Sequence, residues 1–281
     1  MEEVVTAAAL RAALAERPGS VGLVPTMGAL HAGHVSLLDR ARVESRTLVM
    51  SLFVNPTQFG PSEDYARYPR DPTRDRALAA AAGVDLLFAP TVEAMYPPGA
   101  ATWVDVEGPA ARWEGERRPG HFRGVATVVL KLLLAARPTR AYFGEKDYQQ
   151  LQVVQRLAAD LLPEVVIVGC PTVREPDGLA LSSRNVFLTP EERPHAAALY
   201  RALRRAQAVL AAGEREGAAL EKEMRAELGA APGLTIDYAA VVDAATLEPL
   251  VRVDRAGRAL LAARLGAVRL IDNGPLLLSG S

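Results

Sequence analysis

The chain has 281 residues, 49% of them apolar and 23% charged, a balance that supports a sizeable core in one large domain or two modest ones. Its 32 basic and 33 acidic side chains leave a net charge of −1, without the basic excess that a nucleic-acid binder or membrane-surface protein needs. A single cysteine, Cys170, excludes an intramolecular disulfide framework and a cysteine-rich zinc site, and fits a reducing compartment.

In chain order, short apolar or β-branched runs predict strands at Val21–Pro25, Thr47–Val54, Val84–Ala89, Arg140–Phe143 and Val165–Gly169. Helical patterns lie between them, near 4–16, 34–45, 73–82, 122–136 and 146–162. The last repeats Leu151, Val154, Leu157, Ala158 and Leu161 at helical spacing. Alternation of this kind predicts a doubly wound, Rossmann-like α/β domain over residues 1–172. Beyond 173 the pattern changes to Ala- and Arg-rich helices at 191–212 and 216–228. Strands at Thr235–Val242, Ala259–Leu265 and Ala267–Ile271 follow, a small α+β domain over 173–281. The opening Met1-Glu2-Glu3 has the wrong sign for a signal peptide. The longest greasy run, Val125–Ala136, is broken by Lys131 and too short to span a bilayer. A soluble, cytoplasmic protein is expected.

Ligands of doubly wound sheets sit beyond the carboxyl ends of the strands. The polar, glycine-containing segments follow the predicted strands: Pro25 to His34, Asn55 to Gly60, Gly144 to Asp147, and Cys170-Pro171-Thr172. In His31-Ala32-Gly33-His34 the glycine lets backbone approach a ligand, and His34 opens a helix whose N-terminus suits an anion. Two imidazoles there can donate to phosphate oxygens as negative charge shifts. Two surface histidines capping a helix would be the plainer reading. Lys146 is one of only three lysines among the 32 basic residues, and its place at a strand-to-helix corner is readable either as a compact ammonium wanted there or as a solvated helix-start lysine. Arg118 and His121 flank Pro119-Gly120 in an arginine-rich stretch, readable either as a mobile lid or dimer contact, or as a solvated loop with helix-start residues. Cys170 reads as an inert core thiol.

Val24-Pro25-Thr26-Met27-Gly28-Ala29-Leu30-His31-Ala32-Gly33-His34 resembles the signature of the pantothenate synthetase (pantoate–β-alanine ligase) family, whose H-x-G-H is shared across nucleotidyltransferases. Four further blocks follow in family order. They are Phe53 to Gly60 with Glu63-Asp64 and Tyr68-Pro69-Arg70, then Arg118 to Val125, Phe143 to Gln150, and Asp177 to Asn185. The resemblance implies a two-step reaction with ATP, pantoate and β-alanine as small-molecule substrates and Mg2+ accompanying ATP. It implies a homodimer, and a C-terminal domain acting as a lid that keeps water from the adenylate.

Carried over residue by residue, it makes His34, His31, Lys146 and Arg184 catalytic. It puts ATP on Met27, Gly28, His31, Gly33, His34, Gly144, Lys146, Asp147, Val173, Leu181, Ser182, Ser183 and Arg184. Asp147 would hold the ribose hydroxyls and the backbone near Val173 the adenine. Pantoate goes to Gln58, Gln150 and Met27, and β-alanine to Gln58. An amide both donates and accepts, so it can hold a hydroxyl and a carboxylate oxygen together. Gln150 is four residues after Lys146 and three after Asp147, which predicts one shared helix face. Leu181 departs from the family's usual Met before Ser-Ser-Arg, an apolar exchange that leaves its contact possible. No protein ligand for magnesium and no base for the β-alanine ammonium stand out. Competing readings are an adenylyltransferase that stops after joining a nucleotide to its acceptor, and a nucleotide-binding regulator without turnover.

Overall fold

The computed structural model describes residues 1–61 and 63–278, and the chain falls into two compact units. The first comprises Met1–Glu145 and Gln149–Pro171. The second comprises Lys146–Tyr148 and the described residues from Thr172 onward.

The first unit is built on six parallel strands in the order β1-β4-β3-β2-β5-β6: β1 Glu2–Val4, β2 Val21–Thr26, β3 Thr47–Leu52, β4 Leu86–Phe88, β5 Arg140–Gly144 and β6 Val166–Cys170. The helices are α1 Ala7–Ala15, α2 Ala32–Glu44, α3 Pro72–Ala81, the short α4 Val92–Met95 and α5 Glu114–Arg117, α6 His121–Ala136 and α7 Tyr148–Leu161. Helices α2 and α3 meet on a core of Val24, Leu48, Met50, Leu87, Tyr142 and Cys170, while α6 packs on β2 and on α1. With both faces covered, β2 and β3 read as nearly continuous apolar runs, which is why they were legible. Cys170 is 2% exposed, and burial raises its thiol pKa, so it is an unreactive core residue as expected.

β1 was not expected. Glu2-Glu3-Val4 has a helix-like composition, but it pairs in parallel with Leu86–Phe88, and Thr6 then caps α1 by accepting from the Ala9 N–H. The predicted helix at 146–162 also begins differently. Glu145–Asp147 form a 3-10 turn, and α7 starts at Tyr148. Lys146 and Asp147 therefore lie in the turn that leads into α7, and Gln150 lies in the helix itself.

The second unit is an antiparallel sheet in the order β7-β8-β9: β7 Leu234–Asp243, β8 Gly257–Leu265 and β9 Val268–Leu276. Its helices are α8 Arg193–Ala196, α9 Ala198–Ala211 and α10 Gly217–Gly229, so the expected 191–212 helix is interrupted at Ala197. Leu199, Leu203 and Leu210 of α9 and Leu220, Met224 and Leu228 of α10 bury against Leu261, Ala263 and Leu276. Pro275, which lacks an N–H, is tolerated because β9 is an edge strand. Among the described residues no helix is long and apolar enough to cross a membrane.

Candidate active site

In the first unit the chain runs from β2 outward to β3 and β4 on one side, then crosses to β5 and β6 on the other. The reversal lies between β2 and β5, which pair at Gly22–Arg140 and Leu23–Ala141. Parallel strands share one carboxyl edge, and ligands of such sheets bind beyond it where the order reverses. Met27 and Gly28 leave that edge from β2 and lead into His31, while Gly144 ends β5 beside them.

His31 is the N-cap of α2, and its Nδ1 accepts from the Gly33 N–H at 3.1 Å. His34, three residues on, accepts through Nδ1 from the His31 N–H at 3.3 Å, closing a reciprocal capping box. The rings lie 4.1 Å apart between centroids. A backbone N–H can only donate, so each neutral ring carries its proton on Nε2. The cap thus fixes two imidazoles as Nε2–H donors at a helix start with no acidic residue in its first turn. The capping of the plainer reading is thus present, on rings that are half-buried.

The turn before His31 is held by a residue that the sequence pattern did not single out. Asp75 in α3 is 2% exposed, and its carboxylate accepts from Ala29 N at 2.9 Å and Leu30 N at 2.7 Å. Gly28 has φ +86°, and a Cβ there would meet Asp75 Oδ2 at 2.7 Å, so only glycine fits. Ala29 is also left-handed, at φ 49°.

Gln58 ends the 3-10 turn Pro56–Gln58 that follows β3. Its amide orientation follows from the surrounding bonds. Asn55 Oδ1 accepts from the Thr57 hydroxyl and N–H and from Tyr96 OH, so Asn55 Nδ2 is the donor to Gly124 O and to Gln58 Oε1 at 3.0 Å. With Oε1 engaged, Gln58 presents Nε2 as a donor, suited to a carboxylate or hydroxyl oxygen. The backbone of Gln58 is fixed too: its carbonyl accepts from His121 Nδ1 at 2.8 Å. His121 Nε2 in turn faces Arg118 Nη1 at 2.9 Å, and Arg118 binds both oxygens of Glu63 at 2.7 Å. Arg118 has no acceptor, so His121 accepts at Nε2 and is neutral. Burial, with the Arg118 charge adding to it, pushes its pKa down to about 4. His121 does start α6, but neither residue is in a solvated loop: with Glu63 they form a largely buried strut bonded to the Gln58 carbonyl.

Gly124 is where α6 touches that strut. A Cβ there would run into the Thr57 carbonyl and approach Gln58 Cα to 2.7 Å, against backbone that cannot swing aside. Gly124→Ala is expected to destabilise the fold by about 1–3 kcal/mol, which a melting curve checks.

Gln150 lies in the first turns of α7 and has no hydrogen-bond partner for its side-chain amide among the described residues. Its neighbour Gln149 is committed elsewhere, donating to Pro109 O and Arg112 O and accepting from Glu114 N.

Lys146 and Asp147 belong to the second unit, with Lys146 Nζ 3.9 Å from Asp147 Oδ2. Asn273 Nδ2 donates to Lys146 O at 2.8 Å, and Tyr148 OH donates to Ala244 O at 2.8 Å. Val173 O accepts from Leu181 N at 3.0 Å, closing a loop that delivers Ser182, Ser183 and Arg184. Ser182 caps the 3-10 turn Ser183–Phe187 by accepting from Arg184 N. Within each unit, then, the expected residues fall into two groups: His31, His34, Gln58 and Gln150 with Met27, Gly28, Gly33 and Gly144 in the first, and Lys146, Asp147, Val173 and Leu181 to Arg184 in the second.

A family model described as pantoate-beta-alanine ligase matches residues 2–275. Over 273 residues the chain is 56% identical to a pantothenate synthetase of Roseiflexus sp. (strain RS-1), covering 97% of this chain and 98% of the relative. It superposes on a crystal structure of pantothenate synthetase from Thermus thermophilus with TM-score 0.94 and 57% identity, covering 98% of this chain and 99% of the other. A pantoate-beta-alanine ligase from Francisella tularensis, complexed with beta-gamma ATP and beta-alanine, matches with TM-score 0.81 and 35% identity over 98% and 97% of the two chains. Matches of this length and identity, on a chain that carries all five motif blocks, mean that it belongs to the pantoate–β-alanine ligase family.

Proposed function

We propose that the paired imidazoles of His31 and His34, the donor amides of Gln58 and Gln150, and the Lys146 and Ser182–Arg184 segments perform the two steps of pantoate–β-alanine ligation. The chain is an ATP-using ligase that makes pantothenate. In the first step a pantoate carboxylate oxygen attacks the α-phosphorus of ATP, the bond to the β-phosphate breaks, and pyrophosphate leaves. In the second the β-alanine amine attacks the acyl carbon of the adenylate, the acyl–oxygen bond breaks, and AMP and a proton are released.

Transfer at phosphorus asks the protein mainly for positioning and charge neutralisation. The observation that carries the assignment is the capping box of α2, because it fixes two N–H donors where a phosphate would meet a helix N-terminus. Lys146 and Arg184 add full positive charge. Gln58, with its Oε1 engaged by Asn55 and its Nε2 left as the donor, orients the pantoate carboxylate without neutralising it, and the same amide serves β-alanine once the adenylate has formed. Met27, Gly28, Gly33 and Gly144 supply close backbone approach to the nucleotide, Asp147 the ribose contact, and Val173 and Leu181 the adenine side.

Magnesium fits as part of the co-substrate. Among the described residues no group of three or more His, Cys, Asp or Glu side chains could hold a metal ion, so phosphate oxygens would carry it. The same reading makes residues 1–172 the ATP- and pantoate-binding domain and 173–281 a lid that protects an adenylate which water would hydrolyse. It makes the working enzyme a cytoplasmic homodimer acting on small molecules alone. The test is a product assay with magnesium and ATP, adding pantoate and β-alanine separately and together. AMP, pyrophosphate and pantothenate in equal amounts, only with both acids present, are expected. Pyrophosphate without AMP would mean adenylyl transfer instead.

A further inference from the structure

We infer that two consecutive residues of β9, Asp272 and Asn273, are positioning residues that hold the two nucleotide-facing segments of the second unit in one fixed geometry. This rests on the reading of Lys146 and of the Val173–Arg184 segment as ATP-binding.

Consecutive strand residues point to opposite faces. Asp272 pairs with Leu261, which lies in the core under α9 and α10, and Asn273 pairs with Leu260 on the other side. Both side chains are buried, at 3% and 4% exposure. On the helix side Asp272 takes both terminal nitrogens of Arg174, at 2.6 and 2.9 Å. Arg174 also donates to Gly178 O and bridges to Ala180, so the segment from Val173 to Leu181 is closed around it. On the opposite side Asn273 donates through Nδ2 to Lys146 O at 2.8 Å. Its Oδ1 accepts from Arg258 Nε and Nη2 at 2.8 and 2.6 Å, and the Arg258 guanidinium stacks 3.8 Å from the centroid of the Tyr148 ring. The two clamps are joined directly, since Asn273 N donates to Asp272 Oδ1 at 2.8 Å.

A buried guanidinium, carboxylate and amide are a poor way to gain stability alone, because apolar side chains of like volume often do as well. They give directional bonds instead. Here those bonds end on the backbone of Lys146 and on the residue next to Val173. Lys146 and the Ser182–Arg184 loop therefore move as one body tied to β9.

The test measures adenylation kinetics of the full chain for Asn273→Ala, Asn273→Asp and Lys146→Ala, and for the double variant Asn273→Ala/Lys146→Ala. Asn273→Asp keeps an acceptor for Arg258 and so keeps the buried pair, but has no donor for Lys146 O. Both Asn273 variants are expected to lose kcat about 10- to 100-fold, the Asp variant while still melting in one cooperative transition. In the Lys146→Ala background, Asn273→Ala should add less than about twofold, since its effect runs through Lys146. Asp272→Asn should raise the KM for ATP and leave that for β-alanine unchanged. Wild-type kinetics for both Asn273 variants beside an impaired Lys146→Ala would overturn the positioning role and leave the site reading intact. Multiplying effects in the double variant would overturn it too. An unimpaired Lys146→Ala would sink the site reading itself, and this inference with it.

Discussion

His34→Ala is expected to slow pyrophosphate release from ATP and pantoate by about 100- to 1,000-fold while the protein stays folded. The magnitude follows from what the ring does. A preorganised donor aimed at charge that develops in the transition state contributes about 2.7–4 kcal/mol to the rate. The structural cost of losing the ring is smaller. His34 Nδ1 accepts one bond, from the His31 N–H, and removing a helix cap costs about 1 kcal/mol. In a chain of this size that lowers the melting temperature by about 2–4 °C. On the proposed role, in which the donor acts chiefly on charge that appears during transfer, the KM for ATP should change far less than kcat. His34→Asn separates the two roles. Its side-chain oxygen can still accept from His31 N, so stability should return while the rate does not. A His34→Ala enzyme within tenfold of wild type would remove His34 from the chemistry.

Asp75→Asn should be the next most damaging change, although Asp75 lies in α3, outside the motif that carries the histidines. Its two oxygens satisfy two consecutive N–H groups, and an amide has one oxygen and a donor that would face the second N–H. A buried group left unsatisfied costs about 1–3 kcal/mol. The melting temperature should fall by roughly 4–8 °C for a loss near the middle of that range. Ala29 sits in the left-handed region at φ 49°, which is unfavourable by about 1–2 kcal/mol for a residue with a Cβ, and Asp75 is what holds it there. Once released, the turn relaxes and His31 shifts with it. Misplacement near 1 Å can cost about 100-fold in rate, so a loss of 10- to 100-fold in adenylation is expected. Asp75→Glu should not restore activity, since the longer side chain pushes on Gly28, already at a contact that excludes a Cβ. Normal kinetics together with a normal melting curve for Asp75→Asn would show that the turn holds itself.

What could be read from residues alone follows a physical line. The strands of the parallel sheet were legible because burial on both faces makes them continuous apolar runs, as in Val21–Thr26 and Thr47–Leu52. His31 and His34 were legible because cap, glycine and helix start are neighbours in sequence. The five motif blocks pointed to the family before any coordinate was needed. Residues that act through distant partners were not legible. Asp75 follows Asp-Pro in a helix start, where an acid is ordinary dipole chemistry, and the capping there falls to Asp71, which accepts from Arg74 N. Glu63 was legible only as part of a motif block, and Arg118 and His121 stood open between a lid or dimer contact and a solvated loop with helix-start residues; only the fold shows them bonded to one another and to the Gln58 carbonyl. The Lys146 corner was read as a helix start because its neighbours in sequence suggest one, while its hydrogen-bond partner lies 127 residues away.

That last separation bears on how the protein is made. At about 5–20 residues per second of synthesis, Asn273 leaves the ribosome roughly 6–25 s after Lys146. Most of the parallel sheet can be in place by then, with its strands β1 to β6 translated and paired. The short stretch from Lys146 to Tyr148 must wait, since its anchors Ala244, Arg258 and Asn273 are translated well after it. A nascent chain thus completes its lysine corner only once β9 has been made and has paired with β8.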